Sequence, residues 1–320
     1  MARQPVTRLA FLCCLVFLAV GCNRNEVKPA ADPPSKTLLE ARRGFSTTLT
    51  RQKFMGEVPD DPPRGLFNLI RYKAPLGENA AYVSPSPDDG KRHPGIIWIF
   101  GDSSNSIGYR AWIPGTLEND QSASAFRDAG IIMMYPSLRG GSDNAGAMEG
   151  FYGEVDDVLA ATDYLASLDY VDPQRIYLGG HSTGGTLALL VSEVTDRFRA
   201  VFSFGPVDDV RGYGSEVLPF DVTDKKEGDL RAPILWLHGI QSPTFVFEGT
   251  VPKGNLDCLS SMSDANQNSF VHFHPVKNAD RFSVLAPITK LVAEKILADT
   301  ETKCNLSFSD DEIQNAVSSF

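Results

Sequence analysis

From about Gly65 onward, short runs of apolar residues alternate with segments that have apolar residues at helical spacing. Continuous apolar runs such as Gly95–Phe100 and Ile131–Tyr135 predict strands buried on both faces of a sheet. The clearest helical stripe is Glu154–Leu168. This alternation predicts an α/β fold with a mostly parallel sheet of about eight strands and helices on both faces.

The same patterns predict the other elements of the sheet. Leu66–Tyr72 and Asn79–Val83 are predicted to be opening antiparallel strands, and residues 205–235 to be an irregular segment over the upper edge of the sheet. The seventh strand is either Thr244–Glu248 or Ile234–His238. We prefer Thr244–Glu248, because the distance from it to the last strand leaves room for one helix. The remaining predicted strands are Arg175–Leu178, Ala200–Phe204 and Ser269–Val276, and the helices are Ser122–Ala129, Thr183–Val194, Leu256–Asp264, Ala286–Asp299 and a terminal one capped by Ser309 and Glu312.

The amino terminus has the pattern of a targeting segment. Arg3 and Arg8 precede an uncharged run, Leu9–Val20, that is too short to span a bilayer. The run ends in Leu-Ala-Val-Gly-Cys, which resembles a bacterial lipobox with Cys22 as the lipidated residue; an ordinary cleaved signal peptide is the alternative. We therefore expect a signal at 1–21, a tether at 22–45, the domain at 46–300, a tail with a short helix at 301–320, and lipid anchoring in the cell envelope, outside the cytoplasm.

Composition narrows the classes of partner. The chain has 320 residues, 42% of them hydrophobic, and a formal net charge of −10, which suits a globular domain. Without a basic stripe, nucleic acid is not an expected partner. Metal-binding and cofactor-binding motifs are absent from the sequence, so neither a metal nor a cofactor is expected. After loss of the signal, Cys258 and Cys304 either pair or remain separate thiols.

The main chemical motif is Gly180-His181-Ser182-Thr183-Gly184, which matches G-x-S-x-G. A predicted strand precedes it and a predicted helix follows it. A tight strand-to-helix turn of this kind lifts the serine out at the edge of the sheet, and the free N–H groups of the helix face an oxyanion. The sequence therefore predicts Ser182 as a nucleophile of α/β-hydrolase type.

Around this motif the chain resembles the prolyl-oligopeptidase-like family of α/β-hydrolases, from about Leu66 to Asp299. The resemblance rests on Gly179–Gly185, on Tyr135–Gly141, on Gly153–Val158 and on Asn278–Phe282. It implies peptidase-like or esterase-like acyl hydrolysis, with a small ester or peptide-like substrate. The stretch before the first strand is too short for the propeller domain of large members, so none is expected.

The resemblance also implies the roles of individual residues. The oxyanion donors would be the N–H of Thr183 and the loop at Gly101-Asp102. In the position of the catalytic histidine this sequence has Arg281, and arginine remains protonated at working pH, so it cannot act as a general base. The acid would be Asp257, which equally fits the first turn of a helix.

The five histidines offer no obvious replacement. His181 lies inside the elbow motif, His93 precedes the third strand, and His272 and His274 alternate on the last strand. His238 lies in an irregular stretch from which it could reach the mouth of the site, and is therefore the best substitute base.

Two functions remain open from the sequence. The first is a serine hydrolase that is impaired because Arg281 replaces the histidine. The second is a membrane-tethered pseudoenzyme that binds a small ligand or a protein partner in the former active-site cleft, with Arg281 suited to a carboxylate or phosphate. A third possibility is a recent inactivating change, in which case restoring the histidine would restore activity. The acidic residues at the start of Glu154–Leu168 are expected to interact favourably with the helix dipole rather than to take part in chemistry.

Overall fold

The computed structural model describes residues 36–52, 54–252 and 254–320. The predicted signal, the lipobox and Cys22 lie outside the described residues. Among the helices of the described part, none is both long and apolar enough to cross a membrane.

The centre of the fold is one eight-stranded sheet with the order β1-β2-β4-β3-β5-β6-β7-β8. Strands β1, β2 and β4 pair antiparallel in that order, and every pair from β4 to β8 is parallel. The predicted α/β-hydrolase fold is confirmed. The strands are β1 (Asn68–Ala74), β2 (Gly77–Val83), β3 (His93–Ile99), β4 (Ile132–Pro136), β5 (Val171–His181), β6 (Val201–Phe204), β7 (Thr244–Gly249) and β8 (Val271–Val276).

Helices cover both faces of the sheet because successive strand residues point to opposite sides. In β3, Ile97 and Ile99 pack in one apolar cluster, with residues of α3 and α4, while Ile96 and Trp98 pack in another, with residues of α2, α7 and α8. A third cluster joins α6 to Val246 of β7. The helices are α1 (Leu38–Arg42), α2 (Ser124–Asp128), α3 (Glu154–Ser167), α4 (Thr183–Ser192), α5 (Lys225–Asp229), α6 (Leu256–Ala265), α7 (Leu285–Ala298) and α8 (Asp310–Ser318).

Several sequence predictions differ from the structure in detail. The seventh strand is Thr244–Gly249, as preferred, and Ile234–His238 forms two short 3-10 turns instead. Residues 38–42, which fall within the predicted tether, form α1, because Leu38 is buried in the core and the Arg42 side chain pairs with Asp156. Cys304 is a free thiol, so Cys258 and Cys304 do not pair.

The amino-terminal segment crosses the top of the domain. We call residues 47–52 and 54–60 the strap, and residues 205–235 the cover segment. The strap pairs with the cover segment at Leu49 and Phe220, and the Met55 N–H donates to the Gly140 carbonyl 2.9 Å away. These contacts place both segments over the carboxyl ends of the parallel strands.

Candidate active site

Ser182 lies on the sharp turn between β5 and α4. Its backbone has φ 57° and ψ −118°, a strained conformation for a residue with a side chain. The Ser182 N–H donates to the Phe204 carbonyl at 2.7 Å, which ties the turn to β6. A Cβ on Gly184 would lie 2.2 Å from the Ile99 carbonyl oxygen. The glycine therefore permits the close approach that raises the serine at the edge of the sheet.

The predicted oxyanion donors come together beside Ser182. The Thr183 hydroxyl donates to the Asp102 carbonyl at 2.7 Å, which joins the first turn of α4 to the loop after β3. A Cβ on Gly101 would lie 2.8 Å from the Ser182 Cβ, so this loop packs directly against the elbow. The Asp102 carboxylate turns to its own loop, where it pairs with Arg110 and accepts from the Ser104 N–H at 2.8 Å. The backbone of this loop and the start of α4 therefore lie together beside Ser182, and their role as oxyanion donors stays a prediction.

Arg281 contacts the nucleophile position directly. Its Nη2 donates a hydrogen bond to the Ser182 Oγ. A guanidinium has only donors and does not lose its proton, so this group cannot remove the proton of the hydroxyl. Arg281 therefore donates a hydrogen bond to the serine, where the histidine implied by the resemblance would accept one.

A buried carboxyl group that the sequence analysis missed lies behind Arg281. Glu248, at the end of β7, is fully buried, and no side chain among the described residues hydrogen-bonds its carboxyl oxygens. A Cβ on Gly205 would lie 3.0 Å from the Glu248 Oε2 and 3.5 Å from the Arg281 Cγ, so the two side chains are neighbours. Burial raises the pKa of Glu248 to about 7, while the positive charge of Arg281 acts in the other direction.

One feature of the sequence could have identified Glu248 as a candidate site residue. It is the single charged residue in the otherwise uncharged strand Thr244–Gly249. A charged residue in a strand buried on both faces is rarely there for packing alone. Asp257, the predicted acid, lies in the first turn of α6, and its role stays a prediction.

All five histidines lie in the described part of the chain, and none of them hydrogen-bonds the Ser182 hydroxyl there. The His181 Nε2 lies 3.1 Å from the Arg281 carbonyl oxygen, and burial lowers the pKa of His181 to about 3. His238 is exposed, and its Nε2 lies 3.2 Å from the Lys36 carbonyl. The expectation that His238 reaches the mouth of the site is therefore wrong, because the 3-10 turn that holds it faces α1.

The other histidines are used elsewhere. His93 pairs with Asp89 at 3.0 Å, and His272 and His274 stack on Phe245 and Phe247 of the neighbouring strand. The described residues include no group of histidine, cysteine and acidic side chains that could hold a metal ion.

The comparisons with known proteins agree with this geometry. Residues 118–231 match the prolyl oligopeptidase family. Similar solved structures include a puromycin hydrolase (TM-score 0.58, 18% identity), the dipeptidyl peptidase 4 of Porphyromonas gingivalis (0.57, 17%) and the acylaminoacyl peptidase of Pyrococcus horikoshii (0.57, 15%).

In each comparison the aligned part covers most of this chain but less than half of the matched protein. The aligned part covers 75%, 72% and 77% of this chain, and 40%, 35% and 43% of the three proteins in the same order. At these identities the likeness concerns the fold. The sheet order and the strained serine elbow show an α/β-hydrolase fold, and its central part, residues 118–231, is similar to the prolyl oligopeptidase family.

Proposed function

We propose that this protein is a serine-hydrolase-type protein in which acyl hydrolysis is impaired. The observation that carries the proposal is the hydrogen bond that Arg281 donates to the Ser182 hydroxyl. A serine hydroxyl becomes a good nucleophile when a base accepts its proton, and a donor at the same oxygen does the reverse. The substrate class would be a small ester or a peptide-like amide, because the similar solved structures are named as peptidases or hydrolases.

The expected loss of rate is large but incomplete. Removing the base of a serine triad costs on the order of a thousandfold or more in rate. The oxyanion hole alone still gives roughly a 10³-fold to 10⁴-fold advantage over water. The border formed by Thr183 and the loop at Asp102 supports such a residual activity here.

Binding without turnover is a second candidate function, and the same contact favours it. The guanidinium of Arg281 and the hydroxyl of Ser182 form a donor pair next to the N–H groups of α4. A carboxylate accepts from such a set more readily than a neutral group. If Cys22 is lipidated, as the sequence predicts, the domain would present this site at a membrane surface.

The experiment is labelling of the purified full chain with a fluorophosphonate probe, comparing wild type, Ser182→Ala and Arg281→His. We expect Arg281→His to label at least about a hundredfold faster than wild type, because a base then faces the hydroxyl. Ser182→Ala should not label, and equal thermal unfolding of the three proteins controls for folding. Wild type that labels as fast as Arg281→His would contradict the impairment, and Arg281→His that stays unlabelled while folded would show that the site lacks more than its base.

A further inference from the structure

The guanidinium of Arg281 has unused donors and no counter-ion among the described residues. Its Nη2 donates to the Ser182 Oγ, whereas its Nε and Nη1 have no acceptor in the described part of the chain and are not fully buried. Arg281 takes part in none of the ion pairs of the described residues, and the carboxylate of the oxyanion loop, Asp102, pairs with Arg110 instead. The side chain of Arg281 is partly exposed, so an anion from solvent can reach this charge.

Two further donors lie beside this guanidinium. The Ser182 hydroxyl accepts from Arg281, so its own proton remains available for donation. The Thr183 N–H is the first of α4, a helix of ten residues, and the Ser182 side chain does not cap it. Both residues are partly exposed. A set of donors with one positive charge suits a singly charged acceptor such as a carboxylate.

Glu248 is the buried carboxyl group next to this set of donors. A Cβ on Gly205 would lie 3.0 Å from the Glu248 Oε2 and 3.5 Å from the Arg281 Cγ. When Glu248 is ionised, its charge offsets that of Arg281 and repels an anion bound there, and when it is protonated this repulsion is absent. Burial raises the pKa of Glu248 to about 7, so both forms are populated near neutral pH.

The other titratable groups around Glu248 and Arg281 come from the elbow, the cover segment and the loop after β8. Burial lowers the pKa of His181 to about 3 and raises that of Tyr213 to about 12, so both are neutral between pH 6 and pH 8. Asp280 accepts from two N–H groups of its own turn at 2.7 and 2.8 Å. Glu248 is therefore the group beside Arg281 that we expect to change its charge near neutral pH.

We propose that Arg281, Ser182 and the start of α4 bind a carboxylate anion, and that this binding is coupled to protonation of Glu248. The inference rests on the second candidate function, binding without turnover, and adds the proton as a second ligand. Because such coupling is reciprocal, the bound anion favours the protonated carboxyl group and the proton favours the anion. The ligand class is a carboxylic acid, which is what hydrolysis of an ester or an amide releases.

The test measures binding of acetate to the purified full chain by calorimetry, with acetamide as a neutral probe of the same size. For four heavy atoms we expect a Kd of about 1–10 mM for acetate at pH 6. Acetamide should bind at least about tenfold more weakly, because it lacks the charge-assisted hydrogen bonds.

The pH dependence tests the coupling. Negative charges on two sides of one guanidinium are expected to disfavour each other about tenfold. With a pKa of about 7 for Glu248, the Kd of acetate should then rise about fivefold from pH 6 to pH 8. Titrations in two buffers of different ionisation enthalpy should give an uptake of about 0.4 proton per acetate at pH 7.

Two substitutions separate the site from its coupling, and a native near-ultraviolet circular dichroism spectrum controls for folding. Arg281→Gln should weaken acetate binding at least about tenfold at pH 6. Glu248→Gln should bind acetate as wild type does at pH 6, with less than about a twofold change up to pH 8. The matched control is Asp208→Asn, because burial raises the pKa of Asp208 to about 6, and it should retain the wild-type pH dependence.

The outcomes distinguish the coupling from the function on which it rests. No saturable binding of acetate, or unchanged binding by Arg281→Gln, would overturn the proposal together with the second candidate function. A Kd that changes less than about twofold from pH 6 to pH 8, or a wild-type pH dependence in Glu248→Gln, would overturn the coupling and leave binding without turnover in place. Loss of the pH dependence in Asp208→Asn would also overturn it, because the proton would then belong to Asp208.

Discussion

Ser182, Arg281 and Glu248 are arranged in the order of a catalytic triad, although only the first has the usual chemistry. Ser182 has the strained backbone of a nucleophile, and Arg281 contacts its hydroxyl. Glu248 is buried next to Arg281, and no side chain among the described residues hydrogen-bonds its carboxyl oxygens. A histidine in place of Arg281 would have a serine on one side and a carboxyl group on the other.

This arrangement predicts which acid supports the variant Arg281→His. Removing the carboxylate that orients the histidine costs up to about 10⁴ in rate in a serine protease. We therefore expect Glu248→Gln, added to Arg281→His, to slow fluorophosphonate labelling by about 10²-fold to 10⁴-fold. Asp257→Asn in the same background is the control and should change it less than about threefold. The reverse ranking of the two variants would assign the acid to Asp257.

Glu248 also predicts a pH dependence of stability. Its pKa rises from 4.5 to about 7 on folding, so between these values the native protein holds a proton that the unfolded chain has released. Stability is therefore lost as the pH rises from 4.5 to 7. Relative to wild type, Glu248→Gln should become more stable by about 3 kcal/mol between pH 4.5 and pH 8, measured by urea unfolding. Parallel pH profiles of the two proteins would show that the carboxyl group titrates normally.

The sequence identified the site residues that belong to a motif, and it missed Glu248, which belongs to none. Ser182 and Thr183 follow from G-x-S-x-G, and Arg281 follows from its place in the last loop. Glu248 belongs to no motif, and its proximity to Arg281 arises because β7 and the loop after β8 end at the same edge of the sheet. The number of residues between Glu248 and Arg281 in the sequence does not reveal that the two side chains are neighbours.

At the scale of elements, the turn between β5 and α4 depends on close backbone contacts. Gly184, in the first turn of α4, lies against the carbonyl of Ile99 in β3, and Gly180 lies against Gly184. Backbone atoms cannot move aside as a flexible side chain can. The elbow is thus held by the packing of a helix onto two strands.

Gly184→Ala tests this packing. Its Cβ would lie 2.2 Å from a carbonyl oxygen, and we expect a destabilisation of about 3 kcal/mol, measured by urea unfolding. Gly212→Ala is the matched control, because no atom lies within 4 Å of its Cβ position, and the change should be within about 0.5 kcal/mol. Equal effects of the two substitutions would mean that α4 shifts to accept the methyl group.

The apolar patterns located these elements well for a physical reason. A parallel strand covered by helices on both faces needs consecutive apolar residues, as in β3, and β3 and β4 were predicted to within two residues at each end. Strand β5 was predicted too short at both ends. Its first residues, 171–174, are partly polar and pair irregularly with β3, and its last residues, 179–181, belong to the elbow motif. Irregular pairing of this kind has no periodicity to detect.

At the scale of the whole molecule, a buried ion pair within the cover segment also accepts a hydrogen bond from the strap. Glu227 of α5 pairs with Arg231 at 2.6 Å and accepts from the Thr48 N–H at 2.7 Å. Arg231 in turn donates to the Gly150 carbonyl at 2.7 Å. One pair therefore connects the strap, the cover segment and the loop before α3.

Glu227→Ala should release this connection. It leaves the fully buried guanidinium of Arg231 without its counter-charge, and we expect a loss of about 3–5 kcal/mol in the free energy of unfolding. Lys225→Ala on the same helix is the control, since the Lys225 side chain is 85% exposed, and should cost less than about 1 kcal/mol. A loss below about 1 kcal/mol for Glu227→Ala would show that water or another carboxylate compensates Arg231.

The sequence by itself determined the α/β-hydrolase fold, the place of Ser182 and the presence of an arginine where a base is expected. These follow from local periodicity and from motifs that are continuous in the chain. Only the tertiary structure decided that Arg281 contacts the serine and that Glu248 lies behind it. The reason is that such distances join residues a hundred or so positions apart, brought together by the order of strands in the sheet rather than by any local pattern.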